Sequence, residues 1–260
     1  MDHDSSVSAS ARAKIRIRIK GFDYRMADQT AADIIASVAG TGARIAGPFP
    51  LPSRVEEPRT ALRDEIRSHR RLIEIIGSNQ KTVDACRRHN VPAGVEIAIV
   101  APEEPASPDP AAPPAKRNRR HDCRVVAMQF LCSWEVQRHA DMVTALFDFF
   151  AERPQPREYY AFAEDLIQGV IRDLALIDEI IAKYAKNWAF SRIARVDLAI
   201  LRVAVFELMR RTDIPPVVSI NEAVDIAKEF STEESKRFVN GILDRYKAEL
   251  GRDPRRAEGG

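Results

Sequence analysis

The segment APEEPASPDPAAPPA, residues 101–115, divides the chain into two halves with different patterns of apolar residues. Six of its fifteen residues are proline. Proline lacks a backbone N–H and favours extended polyproline conformation, so this segment is predicted to be neither a helix nor a central strand. We therefore expect a semi-rigid spacer between two separately folded domains.

The half before the spacer has the pattern of an α+β domain. In KIRIRIK, residues 14–20, isoleucine alternates with basic residues, which predicts a half-buried strand with one basic face. The elements predicted after it are a helix over 28–38, a short strand over 44–48 followed by a loop, a longer strand over 65–76, a helix over 79–89, and a last strand beginning at Val95. The order βαββαβ is that of a split-βαβ fold, with both helices expected on one face of the sheet.

The half after the spacer has apolar residues spaced by three and four, which predicts an all-α helical bundle. One long amphipathic helix is predicted over residues 162–184 and a central helix around 196–204, with a break at Pro215 and Pro216. The predicted organisation is a disordered N-terminus at 1–13, the α+β domain at 14–100, the spacer at 101–117, the helical domain at 118–250 and a disordered tail at 251–260.

Composition and motifs exclude several classes of function. The 40 basic and 38 acidic side chains nearly cancel, so only a local cluster can indicate nucleic-acid binding. The three cysteines have no metal-ligand spacing, and no apolar run approaches the roughly 20 residues of a membrane-spanning helix. The N-terminus has no apolar core like that of a signal peptide. Because no glycine-rich phosphate loop, HExxH or GxSxG occurs, we expect a cytoplasmic, non-enzymatic protein with no cofactor, metal or membrane partner.

The strongest functional signal is the basic cluster KRNRRHDCR at residues 116–124, where the spacer meets the first helix of the bundle. Guanidinium groups bind phosphates bidentately and stack on bases, which suits an arm that binds single-stranded RNA. The alternative is a solvated, solubilising run at a domain junction, since short basic stretches are common. The adjacent His121, Asp122 and Cys123 point in different directions on a helix and therefore cannot form a catalytic relay.

The first half resembles NusE, the tenth protein of the bacterial small ribosomal subunit. The matching segments are KIRIRIKGFDYR (14–25), DQTAADI (28–34), GPFPLP (47–52), EIRSHRRLIEI (65–75), KTVDA (81–85) and PAGVEI (92–97). Where that family has a long hairpin loop that enters the ribosome, this chain has only the ten residues VEEPRTALRD, 55–64. The resemblance therefore implies the globular part of a NusE-like domain with its ribosome-binding loop shortened.

The second half resembles the antitermination factor NusB. The matching segments are AMQFLCSWE (127–135), EDLIQGV (164–170), RVDLAILRVAVFEL (195–208), INEAVDIAKEFS (220–231) and SKRFVNGILD (235–244). The resemblance implies a NusB-type bundle, docking of the two halves on each other, and binding of single-stranded boxA-like RNA. It also implies entry into the RNA polymerase elongation complex with the other Nus factors, NusA and NusG, and so a transcription antitermination factor.

The resemblance also assigns roles to single residues. For RNA binding it indicates Lys116, Arg117, Arg119, Arg120, Arg124, Gln129 and Tyr184. For the interface between the halves or with partners it indicates Tyr24, Arg25, Arg71, Val83, Ala85, Asp197, Glu234 and Phe238. Cys132 stands where many relatives have an aromatic residue near the RNA, and Arg87 replaces an apolar residue in the region offered to NusG.

Two other functions are compatible with this pattern. A ribosomal small-subunit or ribosome-assembly protein carrying a NusB domain is the first, and the shortened loop argues against it. An RNA methyltransferase is the second, because NusB-like domains also occur as N-terminal parts of such enzymes. The sequence has no cofactor-binding segment after the helical half, which makes this alternative remote.

Overall fold

The computed structural model describes residues 14–56, 66–100, 118–138, 141–185 and 189–257. The chain divides into two compact units, residues 1–114 and residues 115–260. The predicted disordered N-terminus and the predicted spacer lie outside the described residues.

The first unit consists of a four-stranded antiparallel sheet and two helices. Its elements are β1 (Lys14–Gly21), α1 (Tyr24–Val38), β2 (Arg44–Glu56), β3 (Ile66–Ile76), α2 (Gln80–Arg87) and β4 (Val95–Val100). The strands lie in the order β2-β3-β1-β4, and the three neighbouring pairs are antiparallel. The predicted α+β class and the order βαββαβ are confirmed.

Strand β2 is longer than predicted, because its prolines do not end it. The register between β2 and β3 shifts after Ala46 and again after Leu51, and Gly47 takes a positive φ of 103° at the first shift. Strand β2 lies at the edge of the sheet, so a proline whose nitrogen faces outwards removes no hydrogen bond to the neighbouring strand. The predicted loop after residue 48 is therefore a bulged strand.

Both helices of the first unit pack on the same face of the sheet. Ile17 and Ile19 of β1 and Ile73 and Ile75 of β3 are buried in one core with the apolar side of α1. Ala85 of α2 is half-buried against that core. The basic residues of β1 consequently lie on the other, helix-free face, as the alternation predicts.

The second unit is helical. Its helices are α3 (Arg119–Gln137), α4 (Met142–Ala151), α5 (Ala161–Arg172), α6 (Leu174–Tyr184), α7 (Arg195–Arg210), α8 (Pro216–Phe230) and α9 (Glu233–Glu249), with 3₁₀ turns at Arg157–Tyr160 and Phe190–Arg192. Helix α7 is buried over most of its length and contacts α3, α5, α6, α8 and α9. The predicted bundle and its central helix are confirmed. No helix among the described residues is long and apolar enough to cross a bilayer.

Two details of the second unit differ from prediction. The single helix expected over 162–184 is two helices, since the backbone at Asp173 leaves the helical conformation and its carboxylate pairs with Arg210 at 2.9 Å. The tail was predicted to be disordered, but part of it lies on the bundle. Arg252 donates a hydrogen bond to the carbonyl of Leu208 at 2.8 Å, and the carbonyl of Pro254 accepts one from Val217 at 3.1 Å.

Candidate nucleic-acid interface

The basic cluster begins helix α3. Asn118 is the N-cap, and its side chain accepts a hydrogen bond from the backbone N–H of Arg120 at 3.1 Å. Arg119 and Arg120 then occupy the first turn, and both are exposed. The first turn of a helix carries free N–H groups and the positive end of the helix dipole, so these two side chains extend from a site that already attracts anions. Lys116 and Arg117 lie outside the described residues.

Arg119 is held against the 3₁₀ turn Arg157–Tyr160. Its guanidinium donates hydrogen bonds to the carbonyls of Glu158 and, at 2.8 Å, of Tyr159, and lies 5.2 Å from the centroid of the Tyr159 ring. The Tyr159 hydroxyl donates to Asp122 at 2.8 Å, which raises the pKa of Tyr159 to about 12. Arg119 is therefore positioned by its neighbours, with part of its guanidinium still accessible.

Arg120 lies at the edge of an open groove that contains an aromatic ring. The groove is lined by Arg119, Arg120, Ala161, Phe162, Asp165 and Arg211. The half-buried ring of Phe162 has the guanidinium carbons of Arg120 and Arg211 at 5.4 and 5.0 Å from its centroid. Two cations beside an aromatic face are the groups that hold a nucleotide by its phosphate and its base.

Two carboxylates limit the positive charge of this groove. Arg211 pairs with Asp213 at 2.8 Å and also contacts Asp165. Arg120 lies 3.8 Å from Asp213, and about half of its side chain, 51%, is exposed. Arg211 is thus fixed by its acidic partners, whereas Arg120 has the looser contact and the greater freedom to bind a phosphate.

Arg124 lies beneath this surface, with its guanidinium carbon 5.3 Å from the centroid of the Phe162 ring, and its burial corrects the prediction for this residue. Its side chain is 4% exposed and makes a bidentate ion pair with Glu207, at 2.7 and 3.0 Å. Glu207 is 1% exposed and also accepts a hydrogen bond from Ser219 at 2.6 Å. Arg124 therefore links α3 to α7 inside the bundle and cannot reach a phosphate.

His121 is part of an ion pair between helices. Its Nδ1 lies 2.9 Å from Glu222 and its Nε2 lies 3.9 Å from Glu229, both on α8. The hydrogen bond to Glu222 is the main cause that raises the pKa of His121 to about 9, so the imidazole is protonated at neutral pH. The buried Cys123 thiol faces the carbonyl of Tyr159 instead, and burial raises its pKa. These groups form no nucleophile–base pair.

Gln129 and Tyr184 are also interior, contrary to the roles predicted for them, and so is Cys132, for which no contact was predicted. Gln129 is 8% exposed and accepts a hydrogen bond from Arg153 at 3.0 Å. Tyr184 is 7% exposed, its ring lies 5.9 Å from that of Tyr246, and burial raises its pKa. Cys132 is buried with its sulfur 3.7 Å from the carbonyl of Arg195. None of the three offers a face on which a base could stack.

The predicted interface residues of the first unit are partly accessible. Arg25 is exposed and donates to the hydroxyl of the half-buried Tyr24 at 3.2 Å. Val83 and Ala85 are half-buried on α2. Arg71, in contrast, is 2% exposed and pairs with Asp28 of α1 at 2.6 Å, so it is a structural residue rather than a contact for a partner.

The predicted interface residues of the second unit differ in the same way. Glu234 is exposed in the first turn of α9, and Phe238 is half-buried one turn later. Asp197 is buried and accepts a hydrogen bond from Ser235 at 2.7 Å, which joins α7 to the start of α9. Asp197 is therefore corrected from an interface residue to a structural one.

Two residues of the groove, Phe162 and Arg211, are not among the RNA-binding residues predicted from the sequence. In the sequence, Phe162 is one more apolar position of a helical stripe. Arg211 follows the end of α7 and is far in sequence from the basic cluster. Only the packing of α3, α5 and α7 on one another brings these residues together.

Two family models match this chain. Residues 121–248 match the NusB family, and residues 16–100 match ribosomal protein S10p/S20e. The "Transcription antitermination protein NusB" of Methylacidiphilum infernorum is 41% identical over 133 residues, covering 51% of this chain and 93% of that protein. That of Citrifermentans bemidjiense is 43% identical over 132 residues, covering 48% and 91%. A solved structure of T. maritima NusB is 34% identical with a TM-score of 0.47, covering 51% of this chain and 93% of that one.

Proposed function

The chain belongs to the NusB family through residues 121–248 and carries a ribosomal protein S10p/S20e domain at residues 16–100, and from this premise we propose that it is an RNA-binding transcription antitermination factor. The relatives of the second unit carry the name of transcription antitermination proteins. A single-stranded, boxA-like RNA is the proposed ligand, and the RNA polymerase elongation complex with NusA and NusG the proposed assembly. The proposed compartment is the cytoplasm, and no enzymatic activity is part of the proposal.

The observation that carries the RNA-binding part is the groove at the start of α3. It combines the exposed guanidinium of Arg120, the positioned guanidinium of Arg119 and the aromatic face of Phe162. Phosphate contacts fix the position of a strand without reading its sequence, stacking holds an unpaired base, and contacts with base edges distinguish one base from another. We assign phosphate binding to Arg119 and Arg120, together with Lys116 and Arg117, and base stacking to Phe162.

The two domains are proposed to dock on each other within one chain. Arg25, Tyr24, Val83 and Ala85 would contribute from the first unit, and Glu234 and Phe238 from the second. A short tether can raise the effective concentration of a partner into the millimolar range without any new contact. Fusion would therefore make docking independent of protein concentration.

The test compares Arg120→Ala with Arg172→Ala in the full chain. Arg172 is a matched control, since its side chain is 66% exposed and it lies at the far end of α5 from Phe162. Binding of a boxA-like RNA and a scrambled RNA is measured by fluorescence anisotropy over a salt series. Arg120→Ala should weaken both RNAs alike and lower the salt slope by about 0.7, the value for one phosphate contact on a single strand.

Phe162→Leu tests the stacking role and keeps an apolar group in the groove. Losing one stacked base costs about 1–3 kcal/mol. This variant should therefore weaken binding of both RNAs while leaving the salt slope unchanged, because an aromatic ring stacks on any base. If Arg120→Ala and Phe162→Leu both bind RNA as tightly as the Arg172→Ala control, the groove does not bind RNA.

The match of residues 16–100 to a ribosomal protein family favours a second candidate, a small-subunit or ribosome-assembly protein. Residues 57–64 of the shortened segment that argues against it lie outside the described residues. Sedimentation of the full chain through a sucrose gradient separates the two functions. A ribosomal protein would migrate with small subunits at high salt, whereas an antitermination factor would not.

A further inference from the structure

The groove at the start of α3, which we call the α3 groove, contains a carboxylate that phosphate binding does not require. Asp165 is one of its lining residues, and the side chain is 57% exposed. Asp165 follows Phe162 by three positions on α5, so the two side chains lie on the same face of that helix. Since a carboxylate repels phosphate, Asp165 either neutralises Arg211 or contacts another part of the nucleotide.

A second carboxylate already neutralises Arg211. Asp213 accepts two hydrogen bonds from Arg211, at 2.8 Å from Nε and 3.0 Å from Nη2. Asp165 contacts the other terminal nitrogen of Arg211, Nη1, with Oδ2 alone. Within the part of the chain that the structure describes, Oδ1 of Asp165 accepts no hydrogen bond. A carboxylate has two acceptor oxygens, so Asp165 can still bind donors of a ligand in the groove.

The α3 groove thus combines a stacking ring with an acceptor and a donor beside it. Its volume is about 370 Å³, which is within the range of sites that bind small organic ligands. The guanidinium carbon of Arg211 lies 5.0 Å from the centroid of the Phe162 ring, and Asp165 contacts that same guanidinium. The contacts with Asp165 and Asp213 use three of the five N–H groups of Arg211. A base stacked on Phe162 would therefore meet a carboxylate and a guanidinium at its edge.

Guanine is the base whose edge matches this arrangement. Its N1–H and its exocyclic N2 amino group are adjacent donors, which fit the two oxygens of a carboxylate. Adenine, cytosine and uracil each present a single donor group, at N6, N4 and N3 respectively, next to acceptor atoms that a carboxylate repels. Guanine O6, on the other side of N1, is an acceptor that arginine binds. A carboxylate beside a guanidinium therefore complements the guanine edge from N2 to O6.

We propose that the α3 groove selects guanine, with Asp165 accepting hydrogen bonds from N1–H and the N2 amino group of a base stacked on Phe162, and Arg211 donating to O6. This inference rests on the proposed function and adds to it the base that the strand carries here and the residue that selects it. The ligand is a guanosine within single-stranded RNA, because the exposed Arg119 and Arg120 line the same groove and bind the flanking phosphates.

The test measures binding of short RNAs to the full chain by fluorescence anisotropy. The RNAs are oligouridines of about 6 nucleotides, within the site size of one small domain, with either guanosine or inosine at one central position. Inosine keeps N1–H and O6 of guanosine but lacks the N2 amino group. The variant Asp165→Asn removes the charge of the carboxylate and keeps its shape. Its control, Asp213→Asn, removes the same charge from the other partner of Arg211, which is outside the lining of the groove.

The parent chain should bind the guanosine RNA about ten-fold more tightly than the inosine RNA, the discrimination that one good base contact provides. In Asp165→Asn this ratio should fall to about one, because the amide N–H₂ group cannot accept a hydrogen bond from the N2 amino group. Affinity for the inosine RNA should not fall, since losing a negative charge does not weaken phosphate binding. The control Asp213→Asn should keep the ten-fold ratio of the parent.

Failure of this inference is distinguishable from failure of the proposed function. Equal binding of the two RNAs by the parent, with Arg120→Ala and Phe162→Leu still weakened, would overturn guanine selection alone. An equal loss of the ratio in Asp165→Asn and Asp213→Asn would make Asp165 only a counter-ion of Arg211 and would also overturn the inference. If Arg120→Ala and Phe162→Leu leave RNA binding unchanged, the proposed function of the groove fails and guanine selection fails with it.

Competition by free GMP identifies the source of the guanine. We expect GMP to displace the guanosine RNA only at concentrations far above those at which the unlabelled RNA does so, because it offers one phosphate instead of several. Displacement at the same concentration as the unlabelled RNA would assign the α3 groove to a free guanine nucleotide and overturn the assignment to an RNA strand.

Discussion

Replacing Glu207 with leucine should destabilise the helical unit by about 3 kcal/mol, because it leaves the buried guanidinium of Arg124 without its main partner. Glu207 accepts two hydrogen bonds from Arg124, at 2.7 and 3.0 Å, and one from Ser219 at 2.6 Å. Breaking a buried ion pair on one side costs about 3–5 kcal/mol. The lower value applies here, since Glu222 lies 3.5 Å from Arg124 and retains part of the attraction.

Tryptophan fluorescence provides a selective assay. Trp134 and Trp188 are the two tryptophans of the chain, and both lie in the second unit, residues 115–260. A loss of about 3 kcal/mol corresponds to a Tm lowered by about 6–12 °C for a unit of this size. Arg124→Leu should cause a loss of the same order, since it leaves the Glu207 carboxylate buried.

The double variant Arg124→Leu/Glu207→Leu separates ion pairing from packing. Replacing both partners of a buried pair by apolar residues is often close to neutral, so the double variant should recover most of the stability lost by either single variant. Strictly additive losses would refute the pairing argument. The argument would also be refuted if folded Arg124→Leu lost as much RNA affinity as Arg120→Ala. That result would show that Arg124 contacts the RNA.

Two further predictions concern His121 and Ala85. Since the pKa of His121 is raised from 6.5 to about 9 in the folded chain, its stabilisation should be complete below pH 6.5 and lost as the pH rises through 9. The difference in urea midpoint between the parent and His121→Gln should therefore shrink between pH 6.5 and 9.5, and a constant difference would exclude the ion pair as its cause. Ala85→Asp should lower the thermal stability of the first unit measured by circular dichroism, because Ala85 packs against that unit's own core. A variant with unchanged stability and weaker docking, seen as an expanded envelope in small-angle scattering, would instead make Ala85 a pure contact residue.

The sequence predicted those elements whose apolar residues repeat with a clear period. The alternation of KIRIRIK identified β1 and its basic face, and the spacing of three and four identified the bundle. Periodicity could not locate the break at Asp173, because the apolar spacing continues across it. It also could not show that the prolines of β2 lie in an edge strand, since strand order is a property of the assembled sheet.

The candidate site is harder to predict than the fold, because the sequence does not show which charged residues are buried. Arg124 and Glu207 are separated by 83 positions, and Arg71 and Asp28 by 43, so neither pair is visible as a local pattern. Each arginine can be buried because a carboxylate on another element of the fold pairs with it. Tyr184 is a different case: it closes the apolar stripe of Ile177 and Ile181, and this stripe already indicated an interior position.

The position of a basic residue relative to its carboxylates therefore separates two classes of arginine in this chain. Arg71, Arg124 and Arg202 are at most 4% exposed and pair with carboxylates at 2.6–2.9 Å. Their positive charge is therefore balanced within the fold. Arg120 has only a loose contact at 3.8 Å with about half of its side chain exposed. A phosphate competes poorly for the first class, because binding it would leave a carboxylate of the fold without its partner, whereas it adds a partner to the second. RNA contacts should therefore be sought among arginines such as Arg120, whatever the local density of basic residues in the sequence.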